Sequence, residues 1–202
     1  TLQAPRKTIP GQPGEKRELF LELKLMADVG LVGFPNAGKS SLVNKISSGR
    51  PAVGDYPFTT LEPVLGIVSV HNKSFVLADI PGLIEGASEG RGLGHQFLKH
   101  IERTHSLLFV IDSFEEDAYQ KFLILKQELK EFHPKLAEKP YVIALNKADL
   151  GNEEALKTFK ENGEKPIVTS AITGEGCETL KLALDKLVIP KQKKSSGWAS
   201  KK

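Results

Sequence analysis

The chain has 202 residues, 40% hydrophobic and 26% charged, with a formal net charge of +3; this is globular, and it excludes both a disordered chain and a nucleic-acid-coating protein, which needs a larger basic excess. Its single cysteine excludes a disulfide framework and a Cys-based zinc site, and fits a reducing, cytoplasmic compartment. No apolar run approaches the roughly 18 residues that cross a membrane, and no signal peptide pattern opens the chain.

Residues 1–16 hold prolines and glycines without periodicity and read as a linker. Glu18–Leu25 alternates polar and apolar residues as a strand does. An apolar strand, turn and amphipathic helix then recur. Strand Val29–Gly33 precedes helix Gly38–Ser48. Strands Val64–His71 and Ser74–Ile80 are separated by Asn72–Lys73, the length of a tight hairpin. A helix over Gly94–Thr104 leads to strand Leu107–Asp112, and a long helix over Glu115–Phe132 to strand Tyr141–Asn146. Helix Glu153–Asn162, short strand Pro166–Ser170 and helix Glu175–Leu187 complete the order. This alternation predicts an α/β fold with a mixed, mainly parallel six-stranded sheet covered by helices on both faces. The expected division is a linker and the end of a preceding domain over 1–26, a body over 27–189 and a basic, disordered tail over 190–202. The ends are basic: Arg6, Lys7, Lys16 and Arg17 face only Glu15 at one, and six lysines face no acid over 186–202 at the other. They read either as solvated tails or as arms that touch nucleic-acid phosphates.

The segment Gly33-Phe34-Pro35-Asn36-Ala37-Gly38-Lys39-Ser40 fits G-x-x-x-x-G-K-[ST] and lies between a strand and a helix. Glycines let successive N–H groups turn inward on phosphate oxygens, and the helix adds its positive end. Lys39 would neutralise the β- and γ-phosphates, and the Ser40 hydroxyl would ligate Mg²⁺. Asp79-Ile80-Pro81-Gly82 closes a strand; its carboxylate can hold Mg²⁺, and the Gly82 N–H can sense the γ-phosphate. In Asn146-Lys147-Ala148-Asp149 the carboxylate would accept from the N1–H and N2–H₂ donors of guanine, a donor pair that adenine lacks. Asn146 would brace the loops, and the Lys147 stem would cover one face of the base. Thr169-Ser170-Ala171 would bring a backbone N–H to the guanine O6. The loop Tyr56–Leu61 carries Thr59 and Thr60, and a threonine there would complete the Mg²⁺ shell only with a γ-phosphate in place, as an order–disorder switch.

The motif order G-x-P-N-A-G-K-S, Y-P-F-T-T-L, D-I-P-G-L-I-E-G-A, N-K-x-D, S-A is similar to that of translation-factor-type GTPases. With the run LELKLMADVGLVGFPNAGKSS, Asp55–Pro63 and Asp79–Gly94, the chain resembles the Obg/CgtA family of ribosome-associated GTPases over nearly all of 1–189. The resemblance implies a Ras-like P-loop fold, GTP and GDP as ligands and slow Mg²⁺-dependent hydrolysis. It also implies a role in large ribosomal subunit assembly and stress response, with the large subunit as partner of a longer parent and (p)ppGpp as a further ligand. Family members carry a glycine-rich amino-terminal domain, and residues 1–26 resemble only its end. Carried over by motif position, Gly33–Ser40 bind phosphates, and Ser40, Thr60 and Asp79 hold Mg²⁺. Phe58-Thr59-Thr60-Leu61-Glu62 form switch I, Asp79–Gly82 sense phosphate, Asn146–Asp149 read guanine, and Ser170-Ala171-Ile172 close over the base.

Many GTPases place Gln after D-x-x-G to orient the attacking water. This chain has Leu83, which cannot bond a water, and His95 is the nearest histidine. The groups left for catalysis are Lys39, Thr60, Gly82 and Asn36. Asn36 either helps hold a K⁺ ion, which would supply transition-state charge as an arginine finger does, or only braces the loop. Three readings follow: a GTPase, a nucleotide-gated binding module in which hydrolysis is incidental, and an ATPase relative, which Asp149 disfavours.

Overall fold

The computed structural model describes residues 11, 13–18, 27–53, 63–79, 101–151 and 153–188. Its framework is a sheet of β1 (Ala27–Val32), β2 (Ala52–Val53), β3 (Val64–Val70), β4 (Lys73–Asp79), β5 (Thr104–Asp112), β6 (Tyr141–Asn146) and β7 (Ile167–Val168), in the order β2-β3-β4-β1-β5-β6-β7. β1 is parallel to β4 and β5, and β6 and β7 continue the parallel half. β3 is antiparallel to both β4 and β2, so the sheet is mixed, as expected. The six expected strands are present, with the two-residue β2 added at the edge of β3.

The apolar runs are explained by cover on both faces. All six residues of β1 are buried. In β5, Leu107, Phe109 and Ile111 join one core and Leu108 and Val110 the other, because successive side chains point to opposite faces. The first core is closed by α2 (Ala118–Phe132) and α4 (Glu153–Glu161) through Phe122, Leu125, Leu129 and Phe159. Phe122 meets Phe109 edge to face, with ring centroids 5.2 Å apart. The second core is closed by α1 (Lys39–Ile46) and α5 (Cys177–Leu187) through Leu42, Val43, Ile46, Leu180 and Leu184. The short α3 (Pro134–Ala137) leads to Lys139, whose ammonium donates to the carbonyls of Ile101, Glu102 and Thr104 and ties the start of β5 to the loop before β6. Burial lowers the Lys139 pKa to about 8 against the pull of Glu102. It is therefore mostly protonated at neutral pH, and the three carbonyls take up its three donors.

Several boundaries differ from the pattern reading. Val70 pairs with Lys73, so the hairpin turns at His71–Asn72 and not at Asn72–Lys73. Val70 is buried and must stay in the strand, while His71 takes the positive φ (+52°) that a short connection needs. α2 begins at Ala118, not Glu115, because Asp112 accepts from the Phe114 N–H (3.0 Å) and holds that segment in a turn. α5 begins after Gly176 (φ +68°), where an added Cβ would lie 1.9 Å from the Val168 carbonyl oxygen. The last strand contracts to two residues at the sheet edge. Thr104, expected to end a helix, opens β5, although Ile101 and Glu102 are helical. Glu18 is described and is not in a strand; the rest of the strand expected from Glu18 to Leu25, most of the Gly94–Thr104 helix and the tail from Pro190 fall outside the described residues. No helix among the described residues is long and apolar enough to cross a membrane.

Candidate functional site

β1 is the central strand at which the connections change side: β4 lies on one flank and β5 on the other. In such sheets ligands bind beyond the carboxyl ends of the strands at this switch point. The segment Gly33–Lys39 emerges there. Gly33 lies against β5, where an added Cβ would come within 2.3 Å of the Val110 carbonyl oxygen. Asn36 and Gly38 have positive φ (+61° and +90°). A Cβ at Gly38 would also meet the Asn146 amide at 2.3 Å, so this position requires glycine for conformation and for space.

The Lys39 ammonium folds back over the loop and donates to the Gly33 and Phe34 carbonyls at 2.9 and 3.0 Å. Burial lowers its pKa from the usual lysine value, and the Asp79 carboxylate pulls in the opposite direction. A phosphate would compete with those neutral carbonyls as a charged acceptor. The Ser40 hydroxyl, in the first turn of α1, donates to Asp79 Oδ2 at the end of β4. Two hard oxygen donors thus converge beside the phosphate loop. They fit Mg²⁺, which takes one or two protein oxygens and leaves its other positions to water and phosphate. Among the described residues no cluster of three or more His, Cys, Asp or Glu offers a denser cation site.

The loops after β6 and β7 stand beside the phosphate loop. Asn146 is buried; its amide donates to the Ala37 carbonyl (2.9 Å), and its side-chain oxygen accepts from the Ala171 N–H (3.2 Å). One side chain therefore ties three loops together, the brace expected of it. Lys147 has φ +66° and leads into a 3₁₀ turn, Ala148–Leu150. Its ammonium lies 2.6 Å from Asp112 Oδ2. The exposed Asp149 accepts from the Ser170 hydroxyl at 2.5 Å. Ala171 is half-buried, and Ile172 is 78% exposed at the rim.

Of the residues singled out from sequence, Gly33–Ser40, Asp79, Asn146–Asp149 and Ser170–Ile172 come together at one end of the sheet. Phe58–Glu62, Ile80–Gly82, Leu83 and His95 fall outside the described residues. The sequence reading missed Asp112 and the Ser170 side chain. An acid at the end of a strand run was the only visible sign of the first, and nothing in the spacing pairs Ser170 with Asp149, 21 residues away.

A family model described as 50S ribosome-binding GTPase matches residues 28–147. The chain is 54% identical over 182 residues to GTPase Obg of Chlorobaculum tepidum, covering 90% of this chain and 54% of that protein. It is 51% identical over 197 residues to GTPase Obg of Ruthia magnifica, covering 92% and 58%. It thus spans little more than half the length of these relatives. Among solved structures it resembles the G domain of the T. maritima FeoB iron transporter (TM-score 0.60, 25% identity, 80% of this chain and 98% of that one). It shares its fold with Era in complex with MgGDPNP and nucleotides 1506–1542 of 16S ribosomal RNA (TM-score 0.60, 24% identity, 80% and 56%). These likenesses agree with the Ras-like fold and the Obg resemblance read from the motifs, and since the matching model spans more than half of the sequence, from β1 through the phosphate loop to Lys147, the chain belongs to the 50S ribosome-binding GTPase family.

Proposed function

We propose that residues 27–189 form a G domain that binds GTP and GDP with Mg²⁺ and hydrolyses GTP slowly. The observation that supports this best is the convergence, at the switch point of one sheet, of a phosphate loop, the Ser40–Asp79 oxygen pair and the Asp149 carboxylate. In this reading the backbone of Gly33–Lys39 and the Lys39 ammonium hold the phosphates. Ser40, Asp79 and Thr60 hold the cation, which when bound offsets charge on the β- and γ-phosphates. Phe58–Glu62 and Asp79–Gly82 respond to the γ-phosphate, Asn146–Asp149 read guanine, and Ser170–Ile172 cover the base. In the longer parent, residues 1–26 join a preceding domain, and the protein acts in the cytoplasm as a nucleotide-controlled switch in large-subunit assembly and stress response. (p)ppGpp would use the same guanine and phosphate contacts.

The test is phosphate release from GTP and ATP with and without Mg²⁺. GTP alone should be turned over, and only with the cation. Lys39→Ala removes a charge-assisted donor and Ser40→Ala a cation ligand. Each should weaken Mg·GTP by about 1.5–2 kcal/mol, roughly 10- to 30-fold, without loss of the folded circular-dichroism signal. Unaltered affinity in both would refute the phosphate assignment.

Thr60→Ala separates a switch loop from a static one. Its proposed bond to the cation needs the γ-phosphate state, so GDP affinity should be unchanged while that for a non-hydrolysable GTP analogue falls by about 1–2 kcal/mol, roughly 5- to 30-fold. Equal loss for both nucleotides, measured by calorimetry, would make the loop structural.

The second reading, a binding module with incidental hydrolysis, is favoured by Leu83 in place of a water-orienting Gln. It predicts tight binding with turnover too slow to reset the bound state, and single-turnover rates against nucleotide affinity distinguish the two.

A further inference from the structure

Lys147 is a strained residue held from several sides. A non-glycine side chain at φ +66° costs roughly 1 kcal/mol, and such a conformation persists only where its surroundings determine it. The Leu150 N–H donates to the Lys147 carbonyl (3.0 Å), and the Ala148 N–H to the Thr169 carbonyl (3.1 Å). The Ser113 N–H donates to the Asn146 carbonyl (2.8 Å), which joins the end of β5 to the same loop. Asp112 completes this frame. Its Oδ1 accepts from the Phe114 N–H at 3.0 Å, and its Oδ2 lies 2.6 Å from the Lys147 ammonium. Both carboxylate oxygens are thus engaged, and the pair is partly buried, with the Asp112 side chain 12% exposed and that of Lys147 30%. Asp112 also lines the same hollow as Phe34, Pro35 and Ala37 of the phosphate loop.

We propose that Asp112 is a positioning residue for nucleotide binding: it anchors the Lys147 ammonium so that the lysine stem lies across one face of the bound purine. The proposal rests on the guanine reading of Asn146–Asp149 and assigns to the end of β5 a part in it. A tethered stem has already lost the rotamer freedom that a free lysine would lose on binding. The contact is to the ring face, so it is indifferent to the groups on the base edge, which Asp149 reads.

The experiment measures GDP, IDP and ADP affinities by calorimetry on the full chain, for the unaltered protein, Asp112→Asn, Lys147→Ala and the double variant. Asp112→Asn keeps the acceptor for the Phe114 N–H and removes the charge that holds Lys147. It should weaken GDP and IDP by the same factor, roughly 3- to 10-fold, leaving the GDP:IDP ratio unchanged. The double variant should bind no more weakly than Lys147→Ala alone, because the anchor acts only through the lysine. Unchanged affinity in Asp112→Asn would overturn the proposal. So would full additivity in the double variant, or a GDP:IDP ratio that falls with Asp112→Asn, which would mean that the whole base loop had shifted. Each of these leaves the preference for GDP over ADP in the unaltered chain intact. Equal binding of GDP and ADP there would instead remove the guanine reading, and this proposal with it.

Discussion

Asp149→Asn is expected to exchange a preference for GDP for one for XDP. Asp149 stands in the 3₁₀ turn after Lys147, with one carboxylate oxygen 2.5 Å from the Ser170 hydroxyl. Its two oxygens are therefore oriented before any base arrives. A carboxylate accepts from both the N1–H and the N2–H₂ of guanine. An asparagine retains one oxygen for N1–H, but its amide points a donor at the guanine amino group, where two donors meet. Xanthine carries a carbonyl oxygen at that position, and the amide can donate to it. Asp149 is exposed, but once a bound base covers it a mismatched polar pair costs about 1–3 kcal/mol, or roughly 5- to 150-fold, and the reversal adds a gain of similar origin for the xanthine nucleotide. Competition between GDP and XDP for the variant reads the effect directly. GDP affinity equal to that of the unaltered chain would remove the guanine assignment of this loop.

Exchanging Na⁺ for K⁺ at constant ionic strength is expected to raise single-turnover GTP hydrolysis roughly 10- to 100-fold, the effect of 1.4–2.7 kcal/mol of transition-state charge stabilisation. The chain offers no glutamine after Asp79–Gly82 to orient a water, so an added positive charge beside the phosphates has a large part of the barrier to act on. Asn36 is exposed in the phosphate loop at φ +61°. That backbone conformation decides which variant tests the idea. Alanine would remove the side-chain oxygen but also strain the loop, because a Cβ without a compensating local hydrogen bond is disfavoured there. Asn36→Gly removes the oxygen and keeps the conformation open. It should abolish the K⁺ response and change GDP affinity little. Equal rates in K⁺ and Na⁺ for the unaltered chain would rule out the ion. A K⁺ response surviving in Asn36→Gly would leave Asn36 as a residue chosen only for its tolerance of positive φ.

The chemistry legible in the linear chain is the chemistry of contiguous residues. A phosphate cradle would need consecutive N–H groups, so the role proposed for Gly33–Ser40 is written in eight letters, and the base-reading role proposed for N-K-x-D in four. Strands buried on both faces leave uninterrupted apolar runs, as in Leu107–Ile111 and Tyr141–Leu145, and the alternation of such runs with helical periods carries the fold class. Boundaries were less legible where a local hydrogen bond or a steric contact overrides the period. The Phe114 N–H bound to Asp112 delays α2 by three residues, and Gly176 packed under Val168 delays α5 by two. Only the tertiary structure decided which distant side chains share the site. Ser40 meets Asp79 across 39 positions, Lys147 meets Asp112 across 35, and Asn146 reaches Ala37 across 109. These pairs arise because parallel strands deliver their carboxyl ends to one rim, and the neighbours on that rim depend on the order β4-β1-β5-β6. That order is a property of the packed sheet, set by which apolar faces the helices cover, and no local pattern encodes it.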